Sequence, residues 1–281
     1  EHQDWENERA IYKAAGLDYI EPEMRDLQGF VSTSWTIVTN DDLKGCLHNH
    51  STYSDGASTL KEMANACKSL GLQYFAICDH SKSAFYAGGL KEEDIIRQHL
   101  EIDQLNKELN PFVIFKGIES DILTDGSLDY SNDVLATFDV VVASIHSGLK
   151  MDEEKATARI IKAVENPYTT ILGHPTGRLL LSRLGYPLDH GKVIDACAAN
   201  GVAIELNAHP YRLDLDWRWL NTAIEKGVLI SINPDAHHTD GLSDMRFGVN
   251  VARKAGVGPH HVLNAMDLLT FTCWISSRKK S

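Results

Sequence analysis

Leu43-Lys44-Gly45-Cys46-Leu47 runs directly into His48-Asn49-His50, a short apolar run that ends on two imidazoles. The pattern recurs. Tyr74-Phe75-Ala76-Ile77-Cys78 runs into Asp79-His80, and Phe112-Val113-Ile114-Phe115-Lys116-Gly117-Ile118 ends at Glu119. Val140-Val141-Val142-Ala143-Ser144-Ile145 ends at His146, Ile171-Leu172-Gly173 ends at His174, and Val228-Leu229-Ile230-Ser231-Ile232 leads through Asn233-Pro234 to Asp235-Ala236-His237. A core-facing strand does not ordinarily finish on a bare imidazole or carboxylate, because burying either costs several kcal/mol unless it is paired or bound to metal. Six such endings at the same relative place point to one polynuclear metal site at one end of a barrel.

Stretches with helical spacing separate the apolar runs. Leu60, Met63, Ala64 and Cys67 share a face, and Ile95, Ile96, Leu100, Ile102 and Leu105 recur near the helical period. Further helices are expected at 153–164, 189–199, 216–226 and 243–255, and Val202-Ala203-Ile204-Glu205-Leu206 supplies a seventh apolar run. Short apolar strands alternating with helices argue for βα units and parallel strands covered on both faces. The fold expected is α/β, a distorted seven-stranded (β/α)7 barrel of the TIM type. In such barrels the chemistry sits at the C-terminal rim of the strands, which is where these side chains fall. Residues 1–42 read differently. Ile11 to Leu17 is a short helix stopped by Gly16, Ile20 to Met24 an extended connector, and Trp35 to Thr39 an edge strand. The division expected is an N-terminal arm, 1–42, lying on a barrel domain, 43–281.

The chain has 281 residues, 43% of them hydrophobic, within the range of one α/β barrel. Its net charge of −12 opposes tight binding of a polyanion through surface electrostatics. The five cysteines are scattered without a CxxC pair, as in a reduced, cytoplasmic protein. No apolar run would span a membrane and no signal peptide is visible. The first residue is Glu1 rather than Met, which leaves open whether the chain is a fragment of a longer one.

Nine metal-ligand candidates result: His48, His50, Asp55, His80, Glu119, His146, His174, Asp235 and His237. One zinc needs only three or four ligands. Nine suffice for three divalent ions if a carboxylate bridges. Imidazole plus carboxylate without thiolate suits Zn, Mn or Fe. Clustered divalent ions cleave phosphoesters by activating water, orienting the phosphate and offsetting charge on the leaving oxygen. Arg178, Lys82, Arg183 and Arg212 stand in βα loops and are candidate phosphate-holding groups. His2, His99, His190, His238, His260 and His261 lack the strand-end placement and read as surface or structural residues, and His209 as a residue packed in its loop. No Walker lysine follows Ala87-Gly88-Gly89, and Ser144 and Ser147 lack a nucleophile-elbow context.

The runs His48 to Gly56, Asp79 to Ser83, Lys116 to Asp121, Ala143 to Ser147, Gly173 to Arg178 and Asn233 to His237 resemble the polymerase and histidinol phosphatase (PHP) superfamily. Glu205 to Trp217 and Asp244 to Val249 resemble in particular the C-terminal PHP domain of bacterial X-family DNA polymerases, and Ile11 to Glu23 looks like the connector that precedes it there. The resemblance implies a trinuclear site. Carried over by position, His48, His50, Glu119 and Asp235 would hold one ion. Glu119 would bridge to a second, held also by His146 and His174, and Asp55, His80 and His237 would hold the third. Asp235, Glu119 and His237 are the expected catalytic residues, Asp235 by orienting or deprotonating the water. The activity implied is a metal-dependent phosphoesterase acting on DNA 3′ ends. Alternatives are a small-molecule phosphomonoesterase such as a histidinol-phosphate phosphatase, and a non-catalytic module bound to a polymerase, whose domains would lie upstream or act in trans. The sequence departs from the family in two ways. It holds no nucleotidyltransferase palm, fingers or thumb, and Cys46 stands where an aspartate is common.

Overall fold

In the computed structural model, which describes residues 4–25 and 36–278, the apolar runs form seven parallel strands in chain order. They are β1 (Gly45–Cys46), β2 (Tyr74–Ile77), β3 (Val113–Asp121), β4 (Val140–Ser144), β5 (Ile171–Leu172), β6 (Ala203–Asn207) and β7 (Ile230–Asn233). The helices are α1 (Glu8–Ala14) in the N-terminal arm, α2 (Leu60–Ser69), α3 (Glu92–Leu109), α4 (Asn132–Leu135), α5 (Glu153–Val164), α6 (His190–Asn200), α7 (Trp217–Glu225), α8 (Met245–Lys254) and α9 (Leu268–Arg278). One strand–helix unit follows another because each strand is apolar on both faces and needs cover on its outside.

β3 is longer than its apolar run suggests. Val113 to Lys116 pair with β2 and Gly117 to Asp121 with β4, so Glu119 lies within the strand rather than at its end. Gly117 stands at the changeover, where a Cβ would meet Ile77 O at 2.5 Å. In α3 the expected stripe is only partly right. Ile95, Ile102 and Leu105 are buried, whereas Ile96 and Leu100 are exposed, and Gln98 takes the buried place between. The inward stripe follows the three- and four-residue helical steps 95, 98, 102, 105, 109, which leaves positions 96 and 100 on the other side.

The seam between β1 and β7 has its own solution. At the rim the two strands' extensions pair directly, His50 N–H donating to Ala236 O at 2.8 Å. Lower down, residues 262–264 insert between them. Val262 bridges to Ile230, and Lys44 N–H donates to Asn264 O at 2.8 Å. The buried Asn264 amide accepts from Ile232 N–H at 3.0 Å and donates to Gly45 O at 3.0 Å and Ile232 O at 2.7 Å. One side chain thus satisfies backbone groups on both sides of the gap.

Of the arm, Glu21 and Glu23 pair with Arg253 of α8, and Met24 is buried. Residues 36–39 form no strand. Val38 instead donates its N–H to Val257 O at 2.9 Å in a loop and accepts from Arg253 at 3.2 Å, and Thr39 bonds to Asp42, so none of these contacts is with a strand. Trp35 of that expected strand, His2 and Lys279-Lys280 lie outside the described residues. Among the described residues no helix is long and apolar enough to cross a membrane.

Candidate metal centre

All nine residues singled out at the strand ends meet at the C-terminal rim. Glu119 is the hub. Its carboxylate, 1% exposed, lies 3.3 Å from His48 Nε2, 3.6 Å from His50 Nε2, 3.0 Å from His80 Nδ1, 3.2 Å from His146 Nε2 and 2.9 Å from His174 Nε2. β3 delivers it from within the strand, deep enough to face five imidazoles arriving from four other strand ends. Asp235 Oδ1 stands 3.0 Å from His50 Nε2 and 3.7 Å from His48 Nε2. Asp55 Oδ1, at the more exposed edge, stands 3.6 Å from His80 Nε2 and 3.4 Å from His237 Nε2. Asp235 adopts φ +53° and His174 φ +22°, backbone conformations that L-residues seldom take. Such strain is stored where surrounding structure fixes a functional side chain.

Among the described residues the potential donor atoms fall into three groups: His48, His50 and Asp235; His80, Glu119 and His146; His50, Asp55, His80 and His237. His50 and His80 are shared between groups. His174 stands outside all three, joined to them through Glu119. Several close approaches are not hydrogen bonds. His48 Nε2, His50 Nδ1, His80 Nδ1, His174 Nδ1 and Glu119 Oε2 are buried without a hydrogen-bond partner. Buried polar atoms are rarely left so. A cluster of them among imidazoles and carboxylates fits divalent metal ions, which take up such lone pairs without a proton.

The electrostatics agree with that fit. Burial would push the Glu119 carboxyl up, but the imidazoles of His146, His48 and His80 outweigh it and hold it well below its ordinary value. Burial pulls His146 down, yet Glu119 and Asp121 lift it to about 10, and His237 is lifted to about 9 against its burial by Asp55 and Asp235. His50 moves the other way, to about 3, through burial and the neighbouring His80. Without metal, protons on some histidines balance the buried carboxylates, a task that cations perform equally well.

A second layer aims the imidazoles. His48 Nδ1 donates to Glu205 Oε1 at 2.7 Å, His146 Nδ1 to Asp121 Oδ1 at 2.7 Å, and His237 Nδ1 to Asp235 O at 2.9 Å. Each bond fixes the tautomer in which, once the imidazole is neutral, the Nε2 lone pair is free for a metal. Glu205, fully buried, also accepts from His174 N–H and from the amides of Asn207 and Asn233. Asp79 accepts from Ser51, Ser54 and Gln98 and so ties down the loop that carries Asp55.

Residues 47–209 match the model of the PHP domain family. The chain belongs to the PHP domain family. It is 45% identical over 265 residues to the DNA polymerase/3′-5′ exonuclease PolX of Bacillus subtilis, an alignment covering 93% of this chain and 46% of that protein, so the chain spans less than half of that relative's length. It is 30% identical over 234 residues to a probable phosphatase of Thermoanaerobacter, covering 77% of this chain and 88% of the relative. Among solved structures, a histidinol phosphate phosphatase from Lactococcus lactis, complexed with zinc, L-histidinol and phosphate, shares the fold at a TM-score of 0.56 and 18% identity, over 76% of this chain and 94% of that one. A protein from Listeria monocytogenes described as a putative histidinol phosphatase gives the same TM-score at 14% identity, over 71% of this chain and 97% of that one. The PHP fold accounts for the seven-stranded parallel barrel and for the rim on which the nine residues meet.

Of the four cations read as phosphate-holding, Arg212 alone reaches the cluster of this PHP chain, with Nε 3.3 Å from Asp235 Oδ2. Arg178 is spent on structure: it donates to Arg212 O and Leu213 O and pairs with Asp216, clamping the loop that presents Arg212. Arg183 donates twice to Gly177 O, and Lys82 pairs with Glu92 and sits over the Tyr130 ring. All three stand in βα loops, but a carbonyl or carboxylate holds each guanidinium or ammonium. Sequence reasoning passed over Glu205, Asp121, Asp79 and Asn207 as functional residues. The signal available was a carboxylate inside an apolar strand, at 205, and carboxylates one or two positions from a proposed ligand, at 79 and 121.

Proposed function

We propose that this metal-dependent phosphoesterase hydrolyses phosphodiester bonds at the 3′ end of DNA. One observation carries the reading: a fully buried glutamate ringed by five imidazoles, in a chain 45% identical over 265 residues to a DNA polymerase/3′-5′ exonuclease. We assign His48, His50, Glu119 and Asp235 to one ion, Glu119 with His146 and His174 to a second, and Asp55, His80 and His237 to a third, with Zn, Mn or Fe as the metals that this donor set suits. Bound ions supply Lewis acidity and a water of lowered pKa.

The chain's own residues do the rest. Glu119 concentrates negative charge where cations gather. Asp235, fixed by the Asn207 amide at 3.1 Å, is placed to orient a water and accept its proton. Arg212, held beside Asp235, can exchange that partner for a phosphate oxygen, to which its planar fork donates two bonds. His237, at the open edge, would help Asp55 and His80 hold the third ion, whose charge would offset that on the leaving oxygen. Polymerase domains, upstream or in trans, would supply the grip on DNA that a chain of net charge −12 lacks. Free, mostly buried cysteines suit the cytoplasm.

A second reading is a small-molecule phosphomonoesterase, favoured by the probable phosphatase that this chain matches over 88% of its length. A non-catalytic module has no need of nine converging ligands. The test is a side-by-side assay of one manganese-loaded preparation on a 3′-labelled oligonucleotide and on histidinol phosphate. We expect slow, distributive, EDTA-sensitive removal of nucleotides. Efficient turnover of histidinol phosphate with an untouched oligonucleotide would overturn the DNA reading.

A further inference from the structure

Among the described residues, four large aromatic side chains are classed as exposed: Trp5 in the arm, and Phe85, Tyr86 and Tyr211. The last three all stand in βα loops at the rim of the metal centre. Phe85 is 88% exposed and Tyr86 73%, side by side in the turn Phe85–Ala87 that follows His80. Exposed aromatic rings cost solvation, and adjacent ones beside a catalytic rim mark a surface that something covers.

This lip belongs to the site. The Tyr86 ring centroid lies 6.4 Å from that of His80. Its hydroxyl is lifted to about 12 by partial burial and by the negative charges of Asp121, Glu119 and Asp55, all carboxylates of the centre or its supports. The loop is also tied down by hydrogen bonds. Ala84 N–H donates to Ser81 O and Gly89 N–H to Ala84 O. Ser83 is held by Asp129 through both its N–H and its hydroxyl. At Gly89 a Cβ would stand 1.9 Å from Ser81 O, so the chain turns tightly enough that only glycine fits. Rings on such a loop are presented in advance of binding.

Charge decides what covers them. The chain carries a net −12, and of the two cations between β2 and α3, Lys82 is paired with Glu92 at 3.2 Å and Lys91 stands at the head of α3. A nucleic-acid strand therefore finds phosphate contacts at the centre and at Arg212, and little beyond. What this surface offers a strand beyond those is ring faces, on which bases stack whatever their sequence. We propose that Phe85 and Tyr86 form a stacking platform for the unpaired bases nearest the 3′ end, which rests on the DNA reading above.

The test compares an oligothymidylate with the same oligonucleotide whose last two nucleotides are abasic, using manganese-loaded wild type and the variants Tyr86→Ala, Phe85→Ala and Tyr86→Phe. A 2-aminopurine placed next to the 3′ end gives an independent binding readout through its quenching on stacked rings, taken in calcium so that turnover does not interfere. Wild type should favour the base-bearing strand by about 10-fold in kcat/KM, mainly through KM, on the scale of base–aromatic stacking. Tyr86→Ala and Phe85→Ala should erase that preference and the quenching, while Tyr86→Phe keeps both. A wild type indifferent to the missing bases overturns the platform and leaves the DNA reading standing. So does a Tyr86→Phe as deficient as Tyr86→Ala, since the hydroxyl and not the ring would then matter. A wild type that turns over histidinol phosphate and neither oligonucleotide overturns both.

Discussion

Replacing Glu119 by glutamine keeps the shape of the side chain and removes one negative charge from the middle of the cluster. Five imidazole nitrogens lie within 3.6 Å of that carboxylate, so any cation they hold lies within a few ångströms of it too. Two unit charges 4 Å apart at an effective dielectric near 20 interact by ~4 kcal/mol. A dication doubles that figure, and a bridging position exposes two ions to the change. Water entering the site and relaxation of the imidazoles recover much of the loss. A residual of ~3 kcal/mol corresponds to ~10²-fold in rate or in metal affinity. Glu119→Gln should therefore lose at least ~10²-fold in phosphoesterase activity, more than His237→Ala, because His237 is 37% exposed and serves one group of donors at the edge of the centre, whereas Glu119 faces five imidazoles. The assay is steady-state cleavage of a labelled oligonucleotide at fixed manganese, with elemental analysis of the same preparations. A Glu119→Gln protein with near-normal turnover and a full metal complement would refute the reasoning, since the hub would then be dispensable.

Four further outcomes follow from the same geometry. Glu205→Gln should weaken metal affinity by ~10- to 100-fold in chelator competition, because His48 loses the carboxylate that fixes its tautomer. Metal affinity should rise steeply with pH: His146 and His237 are lifted to about 10 and about 9 without metal, so at neutral pH both must shed a proton to bind, and calorimetry in buffers of different ionisation enthalpy should count protons released. Arg212→Ala should cut kcat/KM by ~10-fold or more with Arg212→Lys intermediate, while Arg178→Ala should act through a lowered melting temperature of its loop's host fold. Asn264→Ala, stranding backbone groups on both sides of the barrel seam, should cost ~3 kcal/mol in denaturant unfolding, and a loss below ~1 kcal/mol would mean water replaces the amide.

The strand ends were legible because a buried imidazole or carboxylate contradicts the apolar run before it, and contradiction is visible in one dimension. Convergence on the rim followed from the parallel topology. Depth was not legible: Glu119 reads as a strand end, yet β3 continues to Asp121, since what fixes strand length is pairing with β4, a partner 23 positions away. The cations misled for the converse reason. Arg178 and Arg212 are alike in sequence, both arginines in βα loops, and only the folded chain shows that carbonyls of residues 212 and 213 claim the first. Asn264 gave no clear signal, because one amide between Val262-Leu263 and Ala265-Met266 shows nothing of the gap it fills until the barrel has closed around it.

The seam between β1 and β7 runs directly beneath the centre, with His48 and His50 on one bank and Asp235 and His237 on the other. His50 and Asp235 are 185 positions apart, so an ion gripped by both acts as a clasp on a ring formed by most of the chain. A crosslink closing a loop of that length removes configurational entropy from the unfolded ensemble worth ~5 kcal/mol in the chain-entropy description. The catalytic ions would then double as the fastening of the cylinder. Chelation would loosen the first and last staves together, and amide exchange at 45–50 and 230–236 would quicken before that of β3 and β4 on the far wall.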